Sequence, residues 1–218
     1  MNHSRTFLLC SATLWLLGFI FLFLYLSTRT NTGVSDEFNL WQYLHDGTMA
    51  LASLSIAAAA WSLRNAATKN GTVIGTRIAW IGAISGIATA ILLALISLTR
   101  ANDMLYMFTQ GGIGIWLIAF CASKPSGFGA VTRIIGFVSG TGLVLIAVSF
   151  VMIAVALGPS PFTLTNASYL GVNPANVASP LNILGHMVIA AGTLLGIPTY
   201  PVWALLARRA LRLAARSN

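Results

Sequence analysis

Two histidines and two aspartates are the residues best suited to bind a metal or a haem. His45 and Asp46 precede one long apolar stretch, and Asp103 precedes another. His186 lies within a third such stretch, "LNILGHMVIAAG". Imidazole and carboxylate groups are ligands of transition metals, and two histidines on facing helices can hold a haem iron. The candidate metal ligands are therefore His45, Asp46, Asp103 and His186, and the candidate haem ligands are His186 and His45.

The spacing of these residues leaves their role open. No H-x-x-x-H pattern occurs, and no apolar stretch carries two histidines. Polar residues inside apolar helices are candidates for function. A neutral histidine that only donates a hydrogen bond to a backbone carbonyl is equally consistent with the sequence. The second interpretation is the commoner one, so the sequence leaves open both the cofactor and whether His186 is a ligand or a packed residue.

A second candidate site lies in the segment "MLYMFTQGGIGIW". Gln110 is followed by Gly111, Gly112 and Gly114. Clustered glycines weaken a helix, and interrupted helices line the substrate sites of some transporters. Alternatively, the glycines simply admit a bulky neighbour. We expect Gln110, Gly111, Gly112 and Gly114 to border a pocket for a neutral or apolar small molecule, if the chain has one.

The enzyme motifs that depend on short spacings are missing from the sequence. It contains no Gly-x-Ser-x-Gly, His-Glu-x-x-His, Cys-x-x-Cys or phosphate-binding glycine loop. The centres of the predicted helices also lack Asp, Glu, Lys and Arg, which disfavours coupled proton or sodium transport. We therefore expect no catalytic residues, and a non-enzymatic role.

Composition determines which elements must position these residues. Of the 218 residues, 57% are apolar and only 7% are charged, against about 25% charged in soluble domains. About 20 apolar residues in a helix cross the hydrocarbon layer of a membrane. We predict an all-α polytopic membrane protein, with one domain over residues 1–218 and a single bundle of six transmembrane helices. The helices are predicted at 7–26, 47–63, 75–98, 104–122, 132–157 and 181–206.

The basic residues predict the orientation of this bundle. Ten of the twelve lysines and arginines fall before the first helix, in the two connections after helices two and four, or in the tail 207–218. Because Lys and Arg favour the cytoplasmic side, both termini are predicted to be cytoplasmic. The net charge of +8 then reflects topology and contact with anionic lipid, and no nucleic-acid partner is expected. Since no eukaryotic sorting signal is evident, we expect a bacterial plasma (inner) membrane.

The two outer loops and the last helix have features of their own. In the loop 27–46, aromatic and apolar residues recur at helical spacing, which predicts a short helix at the headgroup level; these residues are Phe38, Trp41, Tyr43 and Leu44. The loop 158–180 has four prolines and no charge, and is expected to cap the bundle. Pro198 and Pro201 should kink the sixth helix.

Small residues four positions apart predict close helix packing. They occur on helices three, five and six, as Gly82, Gly86, Ala90, Ala94, Gly136, Gly140, Gly192 and Gly196. Such faces mark helix contacts in lipid, within the chain or with a partner. We expect an accessory or scaffolding subunit that packs on another membrane protein or on its own copy. The alternatives are a haem or metal protein and a carrier or receptor for a neutral small molecule.

Overall fold

The described part of this computed structural model comprises residues 2–32, 40–66, 73–99, 105–157 and 178–216. It contains seven α-helices and no strand, which confirms the all-α prediction. The helices are α1 (Asn2–Thr32), α2 (Leu40–Ser62), α3 (Val73–Thr99), α4 (Leu105–Ala122), α5 (Ala130–Leu157), α6 (Pro180–Gly196) and α7 (Thr199–Ala214).

Five helical stretches are long and apolar enough to cross a membrane. They are His3–Tyr25, Gly75–Leu98, Leu105–Ala122, Ala130–Leu157 and Pro180–Ala214, the last of which covers α6 and α7 together. Helix α2 has 23 residues, which is sufficient length, but it carries His45 and Asp46. The chain is thus all-helical, with five or six helices compatible with a membrane protein.

Helix α2 begins earlier than predicted. The described residues of the predicted headgroup helix belong to α2 and do not form a separate helix. Trp41, Tyr43 and Leu44 form the first turns of α2, which continues without interruption to Ser62. This stretch contains no proline, and Gly47 alone does not stop a helix. Trp41 stacks on Phe21 of α1, with ring centroids 6.2 Å apart. Phe38, and residues 158–177 of the predicted cap, lie outside the described residues.

The helices form a ring in which each helix packs against the next along the chain, from α1 to α6. Helix α7 packs against both α5 and α1 and so closes the ring at one end. Most described basic residues lie at this end, which we call the basic end: Arg5, Arg64, Arg77, Lys124, Arg133, Arg208, Arg209, Arg212 and Arg216. Helices α1 and α6 do not pack along each other. We call the opposite end the open end, because packing between the described helices α1 and α6 does not close it.

The predicted kink in the last apolar segment is a complete break at residues 197 and 198. Pro201 has no N–H, so the Ile197 carbonyl loses its usual helical donor. The indole Nε1 of Trp15 on α1 donates to this carbonyl at 3.1 Å. The Thr199 hydroxyl donates to the Leu195 carbonyl. The tail predicted from residue 207 is also helical as far as Ala214, because α7 buries Ala207 and Leu211 against the bundle.

Aromatic side chains fill the interior near the basic end. This aromatic cluster consists of Trp15, Trp116, Phe120, Phe128, Tyr200 and Trp203, none of which is more than 7% exposed. Trp15 lies 4.8 Å from Tyr200, and Trp116 lies 5.6 Å from Trp203 at nearly right angles. The Tyr200 hydroxyl donates to Ser11 Oγ at 2.9 Å. Edge-to-face packing of this kind leaves a dense interior at this end.

The predicted small-residue faces lie against helices of the same chain. Gly82 and Gly86 of α3 contact α2, and Gly82 also contacts Trp116 of α4. Gly136 and Gly140 of α5 contact α4, whereas Gly192 and Gly196 of α6 contact the backbone of α5 at Gly142. Ala90 is buried and Ala94 is exposed.

Replacing Trp15 by Phe should destabilise the fold by about 1–3 kcal/mol, because the Ile197 carbonyl then loses its hydrogen bond in a buried place. Thermal unfolding of the purified protein would measure the change. Trp80, which is 50% exposed, provides the matched control, and Trp80→Phe should cost less. Equal effects of the two substitutions would contradict the role of the Trp15 indole N–H.

Gly142→Ala should destabilise the protein by about 1–3 kcal/mol through overpacking. A Cβ atom at this position would lie 2.2 Å from Gly196 N and 2.7 Å from Gly192 O, both of which are backbone atoms. Gly47→Ala is the control, since no atom lies within 4 Å of its Cβ position. Chemical denaturation should show a lower free energy of unfolding for Gly142→Ala only. An unchanged stability of this variant would contradict the close approach of α5 and α6.

Candidate ligand cavity

A cavity lies inside the ring, in the half towards the open end. The cavity has a volume of about 100 Å³, and about 520 Å³ of empty space is counted when the open space at its mouth is included. Helices α1, α2, α4, α5 and α6 line it, mainly with apolar side chains, and four lining residues are polar: His45, Tyr106, Gln110 and Thr193. Trp15, Ile146 and Ile197 lie at the side nearest the aromatic cluster. Packed aromatic side chains therefore bound the cavity on the side that faces the basic end.

Both α1 and α6 line the cavity, although these two helices do not pack along each other. Ile189, Thr193 and Ile197 line the cavity, and their spacing of four places them on one face of α6 and the break that follows it. Since α6 packs on α5 and does not pack along α1, this face is uncovered by the described helices. Among the described helices, none covers this side of the cavity.

His186 lies on the same face of α6, nearer the open end. It precedes Ile189 by three positions and Thr193 by seven, which is the helical repeat. Its side chain is exposed, and its Nδ1 lies 2.8 Å from the Asn182 carbonyl of its own helix. Because a carbonyl only accepts, Nδ1 carries the proton. The structure therefore places His186 beside the mouth and outside the cavity lining.

His45 lies in the cavity wall and is 6% exposed. Its Nδ1 lies 2.8 Å from the Gly18 carbonyl on α1. The carbonyl can only accept, so Nδ1 donates, and a neutral imidazole then presents Nε2 as an acceptor. A Cβ atom on Gly18 would lie 2.6 Å from Met49 Sδ, so glycine at this position lets α1 and α2 approach closely. The hydrogen bond fixes the orientation of the imidazole in the wall.

Asp46 points away from the cavity although it follows His45 directly. Successive helical residues are about 100° apart around the axis. Asp46 is 4% exposed and accepts a hydrogen bond from Ser97 Oγ of α3 at 3.0 Å. The carboxylate thus joins α2 to α3.

The structure does not bring the four candidate metal ligands together as one group. Among the described residues, no cluster of three or more His, Cys, Asp or Glu side chains could hold a metal ion. His45 lines the cavity, Asp46 contacts α3 and His186 is exposed. Asp103 lies outside the described residues.

Gln110 lines the cavity, whereas the glycines that follow it do not. The side chain of Gln110 is 5% exposed and makes no hydrogen bond with another described residue. Gly111 and Gly114 face α5, and Gly112 faces Ser85 of α3. These glycines let α4 approach its neighbours, and α4 remains continuous over them.

Sequence reasoning missed the other polar lining residues, Tyr106 and Thr193. Tyr106 precedes Gln110 by four positions and so shares its helical face, which is a local signal that could have found it. Thr193 follows His186 by seven positions, so these two residues also share a helical face. Neither spacing shows that both faces border one cavity, because that depends on how α4 and α6 are placed around the ring.

The chain has no significant match among protein-family models, curated proteins or solved structures. The cavity itself defines what chemistry this site can perform. None of its described lining residues is Lys, Arg, Asp or Glu, so these residues offer hydrogen bonds and apolar contact. This lining suits reversible binding of an uncharged molecule.

Gln110→Leu should stabilise the protein without ligand by about 1 kcal/mol, because an amide buried without hydrogen bonds is replaced by an apolar group of similar size. Thr89→Val is the contrasting control. The Thr89 hydroxyl forms hydrogen bonds with the Ser85 carbonyl and the Thr109 hydroxyl, each at 2.8 Å, so this variant should lose stability. Thermal unfolding of both variants would measure the two effects, and a destabilised Gln110→Leu would count against an unpaired amide.

Proposed function

We propose that this chain is an integral membrane protein that binds a neutral, largely apolar small molecule in the cavity between α1 and α6. The observation that carries the proposal is a largely apolar cavity in which the amide of Gln110, a buried residue, has no hydrogen-bond partner among the described residues. Carrier and receptor roles both require such a site. Neither requires a catalytic residue.

The proposal includes six membrane crossings, with α2 as one of them and α6 and α7 forming the last. Both termini then lie on the cytoplasmic side, with a bacterial plasma membrane as the expected location. The concentration of Arg and Lys at the basic end supports this orientation. The cavity then opens towards the outer half of the membrane.

The aromatic cluster supports binding from one side of the membrane. A continuous path across the bundle would have to pass Trp15, Trp116 and Trp203, each of which is at most 1% exposed. Packing of this density leaves no room for a solute without rearrangement. A receptor, or a protein that delivers its ligand back to the outer half of the membrane, fits this one-sided cavity better than a channel does.

The accessory-subunit hypothesis receives less support from the same geometry. It relied on small-residue faces that could meet a partner, and the six glycines of those faces lie against helices of their own chain. A protein partner or a second copy would instead have to bind the exposed apolar side chains that any membrane protein presents to lipid. This role remains a prediction from the sequence.

Filling the cavity provides the direct test. Ile189→Trp introduces a large ring into the α6 wall, and the amount of apolar small molecule that co-purifies should fall at least roughly tenfold, since overlap with the ligand costs more than about 1.4 kcal/mol. Mass spectrometry of gently extracted protein would measure this amount.

The control for this variant lies on the same helix. Leu194 is 75% exposed and is not part of the cavity wall, so Leu194→Trp adds the same ring outside the site and should leave the co-purified amount unchanged. If both variants retain the same molecules as the parent protein, the cavity is not the binding site.

A further inference from the structure

The polar groups in the cavity restrict the chemistry of its ligand. The first is the amide of Gln110, which is 95% buried and has no hydrogen bond to the described protein. A buried amide without partners loses its hydration and gains nothing in return. A molecule in the cavity that accepts from this amide recovers the lost interaction.

The second polar group is the imidazole of His45. Its Nδ1 donates to the Gly18 carbonyl at 2.8 Å, so the neutral imidazole offers Nε2 as an acceptor. No hydrogen bond from Nε2 to another described residue is present. The cavity wall therefore offers an acceptor at His45, and both donors and an acceptor at Gln110.

Only some neutral groups match both partners. A hydroxyl donates one hydrogen bond and accepts others, so it can donate to His45 Nε2 and accept from the Gln110 amide. An ether or a ketone oxygen accepts only, and it leaves His45 Nε2 without a donor. A carboxylate or an ammonium meets no opposite charge among the lining residues that the structure describes, so burial of either is disfavoured.

The remainder of the lining determines the body of the ligand. Phe19, Leu22, Met49 and Ile146 contribute apolar surface to the same cavity, and none of the described helices covers the side between α1 and α6. An apolar body with one polar end matches this lining. A two-chain phospholipid does not fit this description, since its charged headgroup finds no cationic side chain among the described lining residues.

We propose that the ligand is a lipophilic alcohol whose hydroxyl donates to His45 Nε2 and accepts from the Gln110 amide. This assignment rests on the proposed function, because it names the ligand class of the same cavity. It makes Gln110 and His45 the residues that determine specificity. It also gives a role to two of the four polar residues that line the cavity.

Three probes of equal chain length test the proposal: 1-dodecanol, dodecyl methyl ether and dodecane. The full-length protein is reconstituted in lipid nanodiscs, and thermal unfolding is followed as the mole fraction of each probe in the lipid rises, since a ligand of the folded state raises the melting temperature. Dodecanol should bind roughly five- to tenfold more tightly than the ether, as expected for one additional hydrogen bond.

Two variants and a control assign this preference to the site. Gln110→Leu should reduce the preference for dodecanol over dodecane while the variant stays folded, and His45→Phe should do the same. Thr141→Val removes an exposed hydroxyl from α5, and should leave the preference unchanged. Because His45→Phe also loses the hydrogen bond to Gly18, Gln110→Leu alone suffices if the histidine variant is unstable.

The outcomes separate the two proposals. If all three probes stabilise the parent protein equally and Ile189→Trp abolishes the effect, the cavity binds apolar molecules and the hydroxyl assignment is wrong. The assignment is also wrong if Gln110→Leu retains the full preference for dodecanol. If no probe stabilises the protein and Ile189→Trp behaves like Leu194→Trp, the proposed function fails as well.

Discussion

The carbonyl of Ile197 needs a hydrogen-bond donor from outside its own helix. The hydrogen bond that it accepts from Trp15 organises the bundle. Pro201 removes the backbone N–H that would have bound this carbonyl. In an apolar surrounding an unsatisfied carbonyl is costly, and water is not at hand to replace the donor. Trp15 of α1 supplies the hydrogen bond at 3.1 Å. A single indole thereby ties the first helix to the junction between α6 and α7.

This junction sends the two halves of the last apolar segment to different neighbours. Helix α6 packs closely on α5, where Gly142, Gly192 and Gly196 bring the two backbones together. Helix α7 instead packs against α5 and α1. Among the described helices, α1 and α6 therefore do not pack along each other, and aromatic rings fill the interior near the basic end. Both helices line the cavity, so the same break that closes the ring also contributes to the site.

The sequence predicted the features that depend on short-range physics. Apolar length and low charge predicted the helices, and two prolines predicted the break, because each effect acts within a few residues. Gln110 was identified because an amide in an apolar stretch stands out, and it does line the cavity. The glycines beside it showed the same local pattern but face other helices.

Features that depend on distant contacts could not be predicted in this way. The sequence does not show that Gly18 of α1 lies opposite His45, or that Ser97 of α3 lies opposite Asp46. These pairings are 27 and 51 residues apart in the chain. The exposed position of His186 likewise depends on which neighbouring helix α6 packs against. The two histidines therefore looked equivalent in the sequence and differ in the structure.

The position of Trp15 and Tyr200 in one cluster has a consequence for biosynthesis. Their rings are 4.8 Å apart but belong to residues separated by 185 positions along the chain. The packing beside the basic side of the cavity therefore joins two segments that lie far apart in the sequence. Until the segment after Pro198 has been translated, α1 can pack on α2 but not on α7, so the aromatic cluster is incomplete.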